Sequence, residues 1–273
     1  MQVMSAQDNP YNNKVLLAYL NKNNNYKSRR ASIVKQLSGV QPGRWGEFVN
    51  GVEEDVADSG KVVAFTFDAC GGNRIANGYN SKLIDFFRAE HVPATLFLTG
   101  LWIDANYRVF MKLATDTLFE IENHGLRHRP CSVNGNSKYG IIGTGNIFDA
   151  FDEIEANAEK IRLLTGRKPT IYRSATAYVD EASVKMANMI GTSVISYDIL
   201  SGDAISNTPA STITRNVLEH LKPGAIIIMH MNHPENNTLE ALSTLIPELR
   251  KRGYSFVKLQ GQTLKSRINP KKK

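Results

Sequence analysis

The sequence predicts an α/β protein built as a distorted seven-stranded parallel (β/α) barrel. Short apolar runs of strand length recur seven times beyond Lys61, and segments of helical period fall between most of them. Strand then helix, repeated, calls for parallel strands joined by right-handed crossovers. So many strands in so short a stretch suit a closed or nearly closed barrel better than a flat sheet. A further observation is positional. The polar residues best suited to chemistry stand at the C-terminal ends of the runs, the rim on which such barrels assemble their sites.

The 273 residues, 42% of them hydrophobic, are enough for one large domain, read as 45–260, with an arm over 1–44 and a basic tail over 261–273. The arm holds seven asparagines between Asn9 and Asn25 around a short apolar piece at 15–20. That composition predicts a loosely structured segment with a helical turn or two, then a short helix near 31–37. Strands are expected at 62–67, 93–98, 117–122, 170–173, 193–198, 225–230 and 254–259, and helices at 82–90, 106–114, 148–164, 181–190, 211–221 and 239–252. In the helix at 148–164, Asp149, Asp152, Glu153, Glu155 and Glu159 read as a solvated face. Trp45 and Trp102 read as core residues, and His91, His220 and His233 as solvated or capping side chains.

A net charge of +7 invites a nucleic-acid reading, but its distribution argues against one. Residues 1–30 carry five basic side chains against Asp8 alone, and residues 265–273 carry five more, so the remainder is slightly acidic. No stretch reaches the roughly 18 apolar residues of a membrane span. Residues 1–7 carry the small-residue context of a trimmed export signal, which would place the protein outside the cytoplasm, secreted or periplasmic.

An acid closing a buried strand, Asp68, is placed to act as a general base. His124 and His128, four residues apart, have a spacing at which two imidazoles can grip one cation. Singly, these read equally well as a strand cap and a pair of loop histidines. Arg173 ends the fourth run, Asp198 and Asp203 follow the fifth, and His230 ends the sixth. Drawn to one rim from distant points, the set suggests metal-assisted activation of water. The chain has neither a phosphate-cradling glycine loop nor a serine nucleophile elbow, which argues against kinase and serine-hydrolase chemistry.

In order and spacing these segments resemble the motifs of the polysaccharide deacetylases of carbohydrate esterase family four, over about residues 45–260. Thr66-Phe67-Asp68-Ala69-Cys70-Gly71 is similar to the first motif, usually Thr-Phe-Asp-Asp-Gly. His124 to Pro130 is similar to the second, His-x-x-x-His-x-Pro, and Tyr172-Arg173-Ser174-Ala175 to the third. Residues 196–204 occupy the fourth, and Ile228-Met229-His230 resembles the fifth. The resemblance implies a distorted barrel, a divalent metal, most simply zinc, and removal of acetyl groups from an N-acetylated glycan. It makes Asp68 the base, His124 and His128 the metal ligands, and Arg173 the residue that holds the base. His230 becomes the general acid and Asp203 its tuning partner, with a backbone N–H near Ala175 or Thr176 facing the oxyanion.

The departures are specific. The second aspartate of the first motif, a metal ligand in the family, is Ala69 here, so either Asp68 also ligates, or another side chain enters, or the metal is loose or absent. On this reading Ala69→Asp should tighten the site. Leu200 and Ala204 replace the usual aspartate and tryptophan of the fourth motif, and the third lacks proline. Cys70 and Cys131, the two cysteines, follow Asp68 and His128 closely and are read either as a rim disulfide or as two small apolar side chains. The function expected is a metal-dependent deacetylase of an envelope glycan. Beside it stand a same-fold hydrolase of a small amide or cyclic imide, and a catalytically silent glycan-binding protein.

Overall fold

A computed structural model describes residues 9–57 and 60–266. Its principal strands are β1 (Val52–Glu53), β2 (Asp55–Val56), β3 (Val62–Ala69), β4 (Ala94–Leu98), β5 (Phe119–Asn123), β6 (Ile171–Tyr172), β7 (Ser193–Ile195) and β8 (Ala225–His230). Strands β8, β3, β4, β5, β6 and β7 lie side by side in that order, each parallel to its neighbour. At the two edges, β1 pairs parallel with β7 and β2 antiparallel with β8. One segment bent at Glu54 therefore bridges the edges and nearly closes the barrel, and the predicted fold class stands.

The seventh stave is not where the sequence suggested. Of 254–259 only Ser255–Phe256 is strand, set beside the start of β3. The closing segment 52–56 was hidden because three consecutive acids, Glu53, Glu54 and Asp55, read as loop. Lys222, 3.1 Å from the Asp55 carboxylate, supplies the countercharge that makes such a strand tolerable.

Alternation along β3 divides the molecule into an inside and an outside. Val63, Phe65, Phe67 and Ala69 face outward and join Leu96, Leu98 and Met229 in the main core. That core is covered by α3 (Ser81–Ala89), α4 (Gly100–Ala105), α5 (Tyr107–Thr115), α8 (Ala210–Glu219) and α9 (Thr238–Lys251). Ala64 faces inward, and with Phe97, Ile171, Ile195 and Ile226 it fills the barrel axis.

The N-terminal arm is more ordered than its composition predicted. It forms α1 (Asn13–Lys22) and α2 (Asn24–Gln36), whose asparagine caps Asn12 and Asn23 accept the backbone N–H groups of Val15 and Tyr26. Both pack on α6 (Ile147–Thr165), burying Leu16, Leu20 and Ile33 at about 1.5–3 kcal/mol each. The solvated-face reading of α6 is corrected by the same packing. Glu153 and Glu155 are buried, Arg29 and Lys168 pair with Glu155 at 2.6 and 2.7 Å, and Arg30 pairs with Asp152 at 2.8 Å. Acids on a helix face mark solvent only if no second layer brings cations to them. Among the described residues no helix is long and apolar enough to cross a membrane. Residues 1–7 and most of the basic tail, 267–273, lie outside the described residues.

Candidate active site and metal centre

The inward face of β3 leads directly to the site. Asp68 points into the barrel, Ala69 points out into the main core, and Cys70 returns to the side of Asp68. Gly71 then turns the chain at φ +74°, against the start of α4, where a Cβ would lie 2.5 Å from the Trp102 amide nitrogen. The Thr99 hydroxyl bonds the Cys70 carbonyl, so the backbone carrying both side chains is held on two sides.

On β5, Glu120 and Glu122 face inward and His124 continues that face. The His124 Nδ1–H donates to the Arg173 carbonyl at 2.9 Å, which turns Nε2 toward the Asp68 carboxylate 3.6 Å away. His128 takes a left-handed φ of 55°, rare for a residue with a Cβ, and its ring centre lies 5.0 Å from that of His124. The loop between them hangs on Glu153 of α6, whose carboxylate accepts the backbone N–H groups of Arg127 and Arg129 at 3.0 Å. A Cβ on Gly125 would collide with that carboxylate. Burial, then the neighbouring His124, pushes the His128 imidazole down to about 3, and burial also lowers His124 against the pull of Asp68. Both rings are therefore neutral at pH 7, the state in which imidazole ligates metal.

Arg173 is fully buried, donating to Asp68 at 2.8 Å and to the Ser196 carbonyl at 2.8 Å while its guanidinium sits 4.4 Å above the centre of the Phe97 ring. Burial disfavours charge on Asp68, but the opposing charges, the Arg173 guanidinium foremost, outweigh it and hold the carboxyl below the usual range. His230 on β8 sits in register with Asp68 on β3. Its Nδ1 meets Asp203 at 3.0 Å, and Asp203 also accepts the hydroxyls of Ser201 and Thr238. Burial opposes an imidazolium at His230, yet the Asp203 carboxylate raises its pKa above the ordinary value.

Asp198 alone of the rim acids does not arrive. Ile199–Leu200 runs beside Ile227–Ile228, so Asp198 lies at the level of Ile226, below the rim, where it pairs with Lys222 at 2.8 Å. The other predicted residues, Asp68, His124, His128, Arg173, Asp203 and His230, converge. Five residues on a cavity of about 390 Å³ are Asp68, Cys70, His124, His128 and His230.

The sequence set Cys70 on this rim but did not mark it as a ligand, although period-two alternation from Asp68 puts it on the same inward face. Its sulfur and one nitrogen from each of His124 and His128 lie within 4.8 Å of one another. Neutral imidazoles and a thiol are donors for a borderline divalent cation, so the residues present fit a metal. Both cysteines are free. Cys131 turns away into the core beneath α6, where its sulfur accepts the Tyr172 hydroxyl at 3.2 Å, so the rim disulfide does not form. Also missed was Tyr139 on the cavity wall, beside Thr176, whose backbone the sequence had already offered to the site. Tyr139-Gly140 is a two-residue hairpin turn with φ of 50° and 76°, signalled in sequence only by the glycine.

The sequence profile of the polysaccharide deacetylase family matches residues 55–195. An uncharacterised Bacillus subtilis protein, YlxY, is 29% identical over 71% of this chain, and the chain spans 55% of its length. The peptidoglycan-N-acetylmuramic acid deacetylase PdaA of the same organism is 25% identical over 72% of this chain and 69% of its own. Among solved structures, a family 4 carbohydrate esterase pseudoenzyme from Bacillus anthracis superposes with a TM-score of 0.60 at 24% identity, covering 73% of this chain and 64% of that one. A mutant of it with restored enzymatic activity superposes with a TM-score of 0.60 at 25% identity, covering 73% of this chain and 66% of that one. With the profile matched across half its length and the motif residues gathered in one cavity, the chain belongs to the polysaccharide deacetylase family.

Proposed function

We propose that the protein removes acetyl groups from an N-acetylated glycan of the bacterial cell envelope, acting outside the cytoplasm. The observation that carries this reading is the pairing of two oppositely tuned groups on one cavity: Asp68, whose ionised form Arg173 favours at 2.8 Å, and His230, whose protonated form Asp203 favours at 3.0 Å. Asp68 would take the proton from the attacking water, and His230, with Nδ1 committed to Asp203, would hand the proton on Nε2 to the leaving nitrogen. A divalent metal, most simply zinc, held by His124 and His128 with a further donor, would supply Lewis acidity to the acetyl carbonyl and the water. The backbone N–H at Ala175 or Thr176 would face the developing oxyanion.

Three apolar side chains on the cavity wall, Tyr139, Leu200 and Ile205, are more than half exposed, and they favour a sugar face over a small amide enclosed in a pocket. The silent-binder reading draws on Ala69 and on the pseudoenzyme neighbour. Acetate release from peptidoglycan and chitin oligomers, combined with metal analysis, separates the readings. Asp68→Asn and His230→Ala should each lower kcat about 10²-fold or more. Wild-type rates in both variants would overturn the mechanism.

A further inference from the structure

We propose that Cys70 is the third protein ligand of the metal, a thiolate replacing the carboxylate that the family resemblance leads one to seek at position 69. The inference rests on the metal site of the proposed function and gives it a composition. Strand parity is the first ground. Ala69 faces the outer core among Phe67 and Leu98, whereas Cys70 shares the inner face with Asp68 and lines the cavity.

Distance is the second ground. With Zn–S near 2.3 Å and Zn–N near 2.0–2.1 Å, ligand atoms around one tetrahedral ion stand about 3.3–3.6 Å apart. The sulfur of Cys70 and the nitrogens of His124 and His128 already lie within 4.8 Å of one another, so side-chain adjustment alone closes the set. Their backbones are pre-positioned: Gly71 and Thr99 hold Cys70, Arg173 orients His124, and Glu153 fixes the His128 loop.

The competing donor is Asp68, whose second oxygen faces the His124 Nε2 at 3.6 Å. One of its oxygens takes the Arg173 guanidinium at 2.8 Å, which suits a base better than a ligand. Ligation by Cys70 thus leaves Asp68 to its proton and leaves a fourth coordination position open, as catalytic sites require. A Cys-His-His set prefers zinc or cobalt to magnesium, manganese or calcium, whose preference is for oxygen donors.

The test is spectroscopic and independent of turnover. Full-length protein titrated with cobalt(II) should develop a near-ultraviolet thiolate-to-cobalt charge-transfer band at one equivalent. The band should persist in Cys131→Ser and vanish in Cys70→Ser, with zinc affinity falling about tenfold or more, the least that even an outer partner of a ligand contributes. X-ray absorption of the zinc-loaded wild type should show one sulfur scatterer at about 2.3 Å, a measurement that does not depend on whether Cys70→Ser folds. Zinc bound without a sulfur scatterer, or a charge-transfer band surviving in Cys70→Ser, would overturn the assignment. Sulfur ligation without acetate release keeps the ligand and removes the deacetylase reading. Acetate release by protein whose metal shows no sulfur does the reverse.

Discussion

Asp203 grips His230 twice: one carboxylate oxygen stands 3.0 Å from Nδ1, and the other accepts the His230 backbone N–H at 2.8 Å. The raised pKa of His230 keeps it protonated above its ordinary 6.5, so the basic limb of the kcat/KM profile should lie above that pH. In Asp203→Asn both contributions of Asp203 are lost, and the largest remaining cause is burial, which disfavours the imidazolium. The limb should move to lower pH and kcat should fall about 10²-fold. The sign for stability follows from linkage. A folded pKa above the unfolded one contributes stability below pH 6.5 that is lost as pH rises through the folded value, and Asp203→Asn should flatten that loss. A basic limb unmoved in the variant would contradict the account.

Glu153 is pushed up to about 7 by burial, against the pull of the Arg129 and Arg127 amides that it accepts. Between its ordinary 4.5 and 7 the folded state holds a proton that the unfolded state has released, so stability should decline as pH rises across that window. Glu153→Gln should make the slope in thermal melts between pH 5 and 7 shallower by the Glu153 contribution. Glu153→Ala frees the backbone beneath His128 and should weaken metal binding about 10–100-fold, readable by competition with a chelator.

Ala69→Asp, which the family motif suggests as a repair, should fail. The side chain is completely buried in the main core, so a carboxylate there is desolvated without a partner. Chemical denaturation should show a loss of about 3 kcal/mol or more with no gain in zinc affinity. Tighter metal binding in this variant would mean that the end of β3 turns the other way.

Thr176 takes φ +61° beside Ala177 at +60°, and its buried hydroxyl has no partner. A β-branched residue in that region carries about 1–3 kcal/mol of strain. Thr176→Gly should therefore raise the melting temperature, while any acetate release falls as the backbone proposed to face the oxyanion loosens. Thr176→Ala, which keeps a Cβ in the same conformation, should not gain that stability.

The barrel and most of its site were legible because both are written in regular spacing. Short continuous apolar runs gave β3 and β8, and the strand ends gave Asp68, His124 and His230. What stayed hidden depends on a second layer or on chain geometry after a strand. Glu153 reads as a surface acid until the loop after β5 lays its Arg127 and Arg129 N–H groups on it, and Glu155 until Arg29 of α2 reaches it. Asp198 looks like a rim residue until the residues after it pair with the middle of β8. Cys70 was legible on the rim, but whether it met Cys131 there depended on the loop after His128, which turns Cys131 into the core.

The two helices ahead of the barrel bear on how the protein can be divided. The stretch that carries the family signature begins at residue 55, yet Leu16 and Leu20 lie in one apolar cluster with Phe151 and Val194 of that stretch, and Tyr26 bonds Asp152 at 2.8 Å. A fragment excised along the signature would expose the underside of α6, and with it the helix from which the loop of His124 and His128 is suspended. It would also omit His230 and Asp203. Recognisable ancestry and the cooperative unit of folding thus have different borders here, and recombinant fragments or chimaeras should be cut by the second.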